Sequence, residues 1–107
     1  MYYIISLAHT KRHDKYLTLW RPDNKGYCFS KDMAGIYVKP TEGYHISEGN
    51  MPIDIAEAEQ LFESFKIDDF EYQRISNNKS TWSFLGVRMT KYGLQRIPTV
   101  PSKAAAK

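Results

Sequence analysis

The first half of this 107-residue chain contains four side chains that could ligate a metal ion, namely His9, His13, Cys28 and His45. Zinc sites place such ligands at short, regular spacings, which these four residues lack. His9 and His13 are four residues apart, which aligns two rings only on a helix, and they lie in a polar segment between two predicted strands. The sequence therefore predicts no metal centre and no cofactor.

A catalytic cysteine is activated by a neighbouring base in a partly exposed setting. Cys28 instead lies between two aromatic residues of a predicted strand, where a thiol commonly serves as a small buried hydrophobic group. Acid–base pairs of carboxylates need a cleft, which no pattern indicates. Glycine-rich phosphate-binding motifs and a nucleophile elbow are also absent from the sequence. The sequence supports three hypotheses for the function, which are protein recognition, nucleic-acid binding and catalysis. A small enzyme that uses Cys28 or the histidines is the least favoured of the three.

The elements that position these residues are organised around a β-hairpin predicted at residues 15–38. Residues 16–20 alternate in polarity, as expected for a strand with two different faces. Residues 21–26 contain Pro, Asp, Asn and Gly, which predicts a loop of three to five residues. Extended chain resumes at residues 27–29, and a single helical turn follows. The apolar residues 2–8 predict a central strand covered on both faces.

One main helix is predicted at residues 55–65. Asp54 and Glu57 have the spacing of a capping box at its start. A stripe of apolar residues at helical spacing should pack on the sheet. The stripe comprises Ile55, Ala58, Leu61, Phe62 and Phe65. Residues 39–51 are rich in Gly and polar groups and predict a mobile loop.

The sequence after this helix predicts strands at residues 70–75 and 81–90. In the second strand the apolar phase changes at Gly86, which indicates a β-bulge. Residues 91–98 fit either an extension of that strand or a short helix. The predicted core consists of Ile4, Ile5, Leu7, Leu17, Leu19, Phe29, Ile55, Ala58, Leu61, Phe62, Phe65, Trp82, Phe84 and Val87.

These elements predict the α+β fold class, with a mostly antiparallel sheet of about five strands packed against one main helix. Residues 1–98 should form a single domain, and residues 99–107 a disordered tail. The single cysteine excludes an internal disulfide, and the N-terminal segment is too short for a signal peptide or a membrane span. We therefore expect a cytoplasmic protein that does not associate with membranes.

Charge is distributed in three blocks. Residues 1–39 carry +4, residues 40–71 carry −8 and residues 72–107 carry +7, for a net charge of +3. Basic and aromatic residues interleave in the last block, which is typical of surfaces that bind single-stranded nucleic acid. This second hypothesis is a nucleic-acid-binding domain that uses Arg74, Lys79, Arg88, Lys91, Tyr92 and Arg96.

Protein recognition is the first hypothesis. Tyr, Trp and Arg dominate interface energies, and opposed charge blocks would steer the chain toward a charged partner or a second copy of itself. The candidate contact residues are Arg21 and Tyr27 at the hairpin tip and Glu57, Glu59 and Glu63 on the outer side of the predicted helix. Self-association through an exposed strand edge, giving a homo-oligomer, is a further possibility.

The segments YYIISLAHT, DKYLTLWRPDNKGYCF and AGIY, within the first 40 residues, resemble a pattern in small proteins of phages and prophages. No activity of that group can be assigned to particular residues. The resemblance implies an accessory phage protein, of the kind that binds and blocks a host or defence component, including CRISPR effectors. It favours a non-enzymatic binding protein over an enzyme.

Overall fold

The first strand, β1 (Tyr2–Ser6), lies at the centre of the main sheet. In the computed structural model, which describes residues 1–98, β1 pairs antiparallel with β2 (Thr18–Trp20) on one side and with β4 (Asn50–Asp54) on the other. The short β3 (Tyr27–Cys28) completes the order β3-β2-β1-β4. All but the first residue of β1 are buried, which confirms the prediction of a central strand covered on both faces.

The predicted hairpin is formed by β2 and β3. Its loop has six residues, one more than the upper limit predicted, and contains a 3₁₀ turn at Pro22–Asn24. Asp23 and Asn24 adopt left-handed φ values of 58° and 59°. Asp and Asn tolerate this conformation better than other residues with a Cβ, which explains the composition of the loop. A second 3₁₀ turn, Lys31–Met33, occupies the predicted helical turn.

The prediction of a loop over residues 39–51 is wrong at its end, because β4 begins at Asn50. Pro52 lies in the middle of β4. Proline is unusual in a strand, because it has no N–H group to donate to a neighbouring strand. The sheet accommodates Pro52, opposite Ile4, because β4 lies at an edge. An edge strand has one side without a neighbouring strand, and a proline nitrogen that faces this side costs the sheet no hydrogen bond.

The predicted main helix over residues 55–65 is also wrong. The helix α1 spans only Ile55–Glu59, and β5 (Phe62–Ile67) and β6 (Phe70–Ile75) form an antiparallel hairpin. The capping residue was correct, since the Asp54 side chain accepts a hydrogen bond from the Ala56 N–H. Six consecutive residue pairs join the two strands across a two-residue turn, and this pairing overrides the helical spacing of the apolar residues.

A second helix, α2 (Lys79–Leu85), replaces most of the strand predicted at residues 81–90. The Asn78 side chain caps its start by accepting from the Thr81 N–H, and Gly86 ends it in a left-handed conformation with φ of 73°. Gly86 is therefore a helix terminator and not the predicted bulge. The chain then forms the hairpin β7 (Val87–Thr90) and β8 (Gly93–Arg96), so the undecided residues 91–98 contain a strand.

The α+β class and the antiparallel pairing are confirmed, whereas the predicted single five-stranded sheet on one main helix is wrong. The residues described form one four-stranded sheet, two hairpins and two short helices. Neither helix in residues 1–98 has the length and apolar character needed to cross a membrane. The predicted tail, residues 99–107, lies outside the described residues.

Half of the predicted core is buried. The buried members are Ile4, Ile5, Leu7, Leu17, Leu19, Ala58 and Val87. Partly buried members are Ile55, Leu61, Phe62, Phe65 and Trp82. Phe29 and Phe84 are wrong, because they are 42% and 46% exposed. The core also contains residues that the predicted list lacks, which are Tyr3, Trp20, Ile53, Ile75, Leu85 and Leu94, together with Cys28, which the sequence interpreted as a buried hydrophobic group.

Gly35 allows the segment after β3 to approach the hairpin loop. Its N–H donates to the Trp20 carbonyl at 2.9 Å, and a Cβ at this position would lie 2.7 Å from the Pro22 Cα and N atoms. These are backbone atoms, so the contact cannot be relieved by rotating a side chain.

We expect Gly35→Ala to lower the free energy of unfolding by about 1–3 kcal/mol, the range for overpacking a well-packed site. Urea denaturation measures this change. Gly49→Ala is the matched control, because its Cβ would meet only the Ala8 Cβ, at 3.3 Å. Equal stability of the two variants would contradict the close packing at Gly35.

Candidate functional site

The β5–β6 hairpin, called the ribbon below, carries most of its apolar surface on one side. Because side chains alternate along a strand, the paired residues Glu63–Arg74, Phe65–Tyr72 and Ile67–Phe70 lie on the same side. The residues of this side, called the ribbon face, are Glu63, Phe65, Ile67, Phe70, Tyr72 and Arg74. The opposite side begins at the buried Ile75, opposite Phe62, and thus contributes to the core.

An aromatic cluster built around Arg74 holds one end of the ribbon face against the body. The Arg74 guanidinium carbon lies 4.8 Å from the ring centres of both Tyr16 and Tyr72 and 5.9 Å from that of Phe29. Its Nε donates to the Ser30 Oγ at 3.0 Å. A guanidinium over aromatic rings is attracted by the negative electrostatic potential on the ring faces. The base of the ribbon is therefore fixed in place.

The other end of the ribbon face is open to solvent. Phe70 is 66% exposed and Ile67 is 37% exposed, although both are large apolar residues. The two-residue turn between them consists of Asp68 and Asp69, and the exposed Glu63 lies on the same face. An exposed apolar surface with a charged border is characteristic of an interaction site. The ribbon face is such a surface, bordered mainly by acids.

The acidic candidate residues are not arranged as predicted. Glu57 and Glu59 are exposed on α1, but Glu63 lies on β5 opposite Arg74, so the three do not share one helix face. The Glu59 carboxylate pairs with the Lys31 ammonium at 2.5 Å, and this hydrogen bond raises the pKa of Lys31. Glu63 is thus part of the ribbon face, whereas Glu59 is engaged within the body.

At the hairpin tip, Tyr27 is exposed, whereas part of the Arg21 side chain is engaged within the hairpin. The Arg21 Nε donates to the Tyr27 carbonyl at 3.2 Å, and the residue is half-buried. The Tyr27 ring stacks on His9 with 4.4 Å between ring centres and meets the buried Trp20 edge-on at 6.1 Å. Arg21 therefore stabilises the hairpin.

Below the tip, His45 connects two loops as a buried neutral ring. Its Nδ1 accepts from the Thr41 N–H at 2.9 Å, so Nε2 carries the proton and donates to the Asn24 Oδ1 at 2.8 Å. The rings of Trp20 and Tyr37 lie 5.1 and 4.7 Å away. Burial disfavours the imidazolium form and lowers the pKa of His45. The ring serves as a structural connector.

The remaining candidates for chemistry, which are Cys28, His9 and His13, have different surroundings. Burial raises the pKa of the Cys28 thiol, which the nearby Arg21 opposes, and its Sγ contacts the Ser30 carbonyl at 3.8 Å. The Nδ1 of His9 lies 2.9 Å from the Ser6 Oγ, while His13 is exposed in the loop before β2. Within residues 1–98, no three His, Cys, Asp or Glu side chains are grouped as metal ligands.

Two of the six nucleic-acid candidates are used inside the fold. Arg74 is held by the aromatic cluster, and the guanidinium of Arg96 donates to the carbonyls of Ser47 and Asn50. These contacts tie β8 to the segment that leads into β4. The other four candidates have exposed side chains, and they are Lys79, Arg88, Lys91 and Tyr92.

Comparison of the chain with protein-family models, curated proteins and solved structures finds no match.

Replacing Arg74 should reveal its structural role. We expect Arg74→Ala to lower the free energy of unfolding by about 1–2 kcal/mol, because the ring contacts and the hydrogen bond to Ser30 are lost. Arg88→Ala removes the same charge from an exposed site and should change stability by less than about 0.5 kcal/mol. Equal urea midpoints for the two variants would refute the assignment.

The buried His45 should make the protein sensitive to acid. Its folded-state pKa lies below the unfolded value of about 6.5, so the unfolded chain binds the proton first and stability falls as the pH drops below that value. In His45→Asn, which retains an acceptor for Thr41, this part of the pH dependence should be absent. Urea midpoints measured from about pH 7 to 5 test it. A parallel loss in both proteins would contradict the assignment.

Proposed function

We propose that this chain is a non-enzymatic binding protein that engages a protein partner through the ribbon face. The observation that carries the proposal is the exposure of Phe70 and Ile67 at the end of a ribbon whose base is fixed by Arg74. A surface held rigid before binding loses little conformational entropy on association. Exposed aromatic residues on such a surface can act as anchors that fill a pocket of the partner.

The charges bordering the ribbon face indicate the kind of partner. Asp68, Asp69 and Glu71 lie at or beside its turn, with Lys66 as the only base on these two strands besides Arg74. Electrostatic complementarity then favours a basic partner surface with an apolar pocket. Proteins that hold nucleic acid in a basic channel, as CRISPR effectors do, present a surface of that kind.

The resemblance of the first 40 residues to phage and prophage proteins supports a role in the cytoplasm of an infected host cell. In that setting the chain would be an accessory protein that inhibits a host or defence component by occupying its surface. Inhibition by occupancy requires no catalytic residue in this chain. A CRISPR effector is one partner of the required chemistry, and self-association into a homo-oligomer is the competing use of the same apolar surface.

Affinity capture from the permissive host, followed by mass spectrometry, tests the proposal. The wild-type chain should retain one specific protein, and Phe70→Ser should reduce its capture at least about tenfold, as expected for loss of an interface anchor. Asp68→Lys combined with Asp69→Lys should weaken capture and slow association, because the acidic border steers the encounter.

Phe84→Ser is the matched control, since Phe84 is an exposed phenylalanine on α2, outside the ribbon. It should leave capture unchanged, and all variants should retain the wild-type thermal midpoint. Equal capture by Phe70→Ser and the wild type would refute the ribbon as the binding surface. The oligomeric state of the purified wild-type chain tests the competing use of the surface. If the wild-type chain forms a larger species and Phe70→Ser remains monomeric, the surface serves self-association instead.

A further inference from the structure

The fold brings parts of the first and last basic blocks of the sequence into contact. Asn77, just before α2, donates from its Nδ2 to the carbonyls of Lys11 and Asp14 at 2.9 and 2.8 Å, and from its backbone N–H to the Lys15 carbonyl at 2.9 Å. The loop before β2 is thereby fixed beside the start of α2, where Lys79 is the first residue.

The β7–β8 turn joins the same loop. The Lys11 Nζ donates to the Tyr92 carbonyl at 2.9 Å, and the Leu94 N–H donates to the Leu7 carbonyl at 3.1 Å. Gly93 permits this approach, because a Cβ there would lie 3.0 Å from the Leu7 carbonyl oxygen. Contacts on both sides of the loop therefore hold residues that are distant in sequence in one surface.

Five cations lie on this surface, which is called the basic end. They are Lys11, Arg12, Lys15, Lys79 and Lys91, and all five are exposed. The carboxylate of the same loop, Asp14, accepts a hydrogen bond from the Lys11 backbone N–H. In the part of the chain that the structure describes, the single ion pair joins Lys31 to Glu59, so the basic end has no internal counter-ion pair.

An exposed aromatic ring accompanies these charges. Tyr92 is 66% exposed, and the Lys91 ammonium lies 5.2 Å from its ring centre. Cations that neutralise phosphates, next to a ring on which an unpaired base can stack, are the two components of single-strand binding. We propose that the basic end binds single-stranded nucleic acid, independently of the ribbon face.

This surface differs from the one that the sequence predicted. Arg74 is excluded because aromatic rings and Ser30 hold its guanidinium, and Arg96 is excluded because both of its terminal nitrogens donate to backbone carbonyls. Arg12 and Lys15 are added from the first basic block, together with Lys11, whose ammonium gives one of its three donors to the Tyr92 carbonyl. Only the fold could reveal this combination, since more than 60 residues separate Lys15 from Lys79.

Fluorescence anisotropy with a short labelled oligothymidylate at low salt tests the proposal. The triple variant Arg12→Ala, Lys15→Ala, Lys79→Ala should bind at least about tenfold more weakly, and its salt slope should be smaller by about 2, since each phosphate contact on a single strand contributes about 0.7. Lys11 is left in place because it holds the turn.

The control triple variant, Lys25→Ala, Lys39→Ala, Lys66→Ala, removes the same charge from exposed sites elsewhere and should retain most of the affinity and the wild-type slope. Tyr92→Ala should weaken binding about fivefold or more through loss of stacking, with little change in slope. Circular dichroism checks that each variant is folded.

Three results would overturn the proposal. The first is no binding by the wild-type chain at low salt, and the second is an equal loss of affinity in the two triple variants. The third is that duplex DNA or inorganic polyphosphate binds as tightly as the single strand and that Tyr92→Ala has no effect on the affinity. That result would indicate that the surface attracts any polyanion.

Discussion

Both edges of β1 are occupied, and this constraint determines where the rest of the chain can form hydrogen bonds. β2 and β4 pair with its two sides, and where β2 ends Tyr37 exchanges two backbone hydrogen bonds with Tyr2. The segments that follow α1 therefore satisfy their backbone groups in two hairpins of their own. An isolated two-stranded hairpin is only marginally stable in water. The ribbon is anchored at one end by the buried Ile75, and the other hairpin is anchored by Val87 at its open end and by Leu94 near its turn. Other residues of both hairpins remain exposed for contact.

The sequence predicted the first half of the fold better than the second half, for a physical reason. In the first half, the predicted strand at residues 16–20 and the turn residues Asp23 and Asn24 agree with the hairpin that forms, although β2 is buried along its whole length and does not have two different faces. In residues 55–67, the apolar spacing fits a helix, but pairing with β6 decides the outcome, and a partner strand cannot be read from local spacing. Residues 79–86 contained a usable signal, because Asn78 and Gly86 bracket them as helix caps. The aromatic and β-branched composition of residues 81–90 favours a strand, whereas these two caps indicate the helix that forms.

The candidate sites were predicted by residue type but not by arrangement. The sequence identified an acidic and a basic block, and the fold places Glu63, Asp68 and Asp69 on or beside one apolar ribbon face. It also removes Arg74 and Arg96 from the basic surface, because one stacks on aromatic rings and the other holds backbone carbonyls. The composition gives the number of cationic residues in the chain. Only the contacts in the folded structure show which of these residues are bound to other groups of the protein. Both proposed surfaces follow from that distinction.

The proposed binding surface depends most on residues 62–75 being a hairpin with one exposed apolar face, so nuclear Overhauser contacts in the uncomplexed protein test it most directly. The hairpin predicts cross-strand contacts between backbone protons of facing residues from Glu63–Arg74 to Lys66–Glu71, and contacts between ring protons of Tyr16 and Phe65. Contacts between the alpha proton of one residue and the amide proton three residues later, continuing from Ile55 through residue 65, would instead indicate one continuous helix. That result would contradict the ribbon, its exposed face and the function proposed for it.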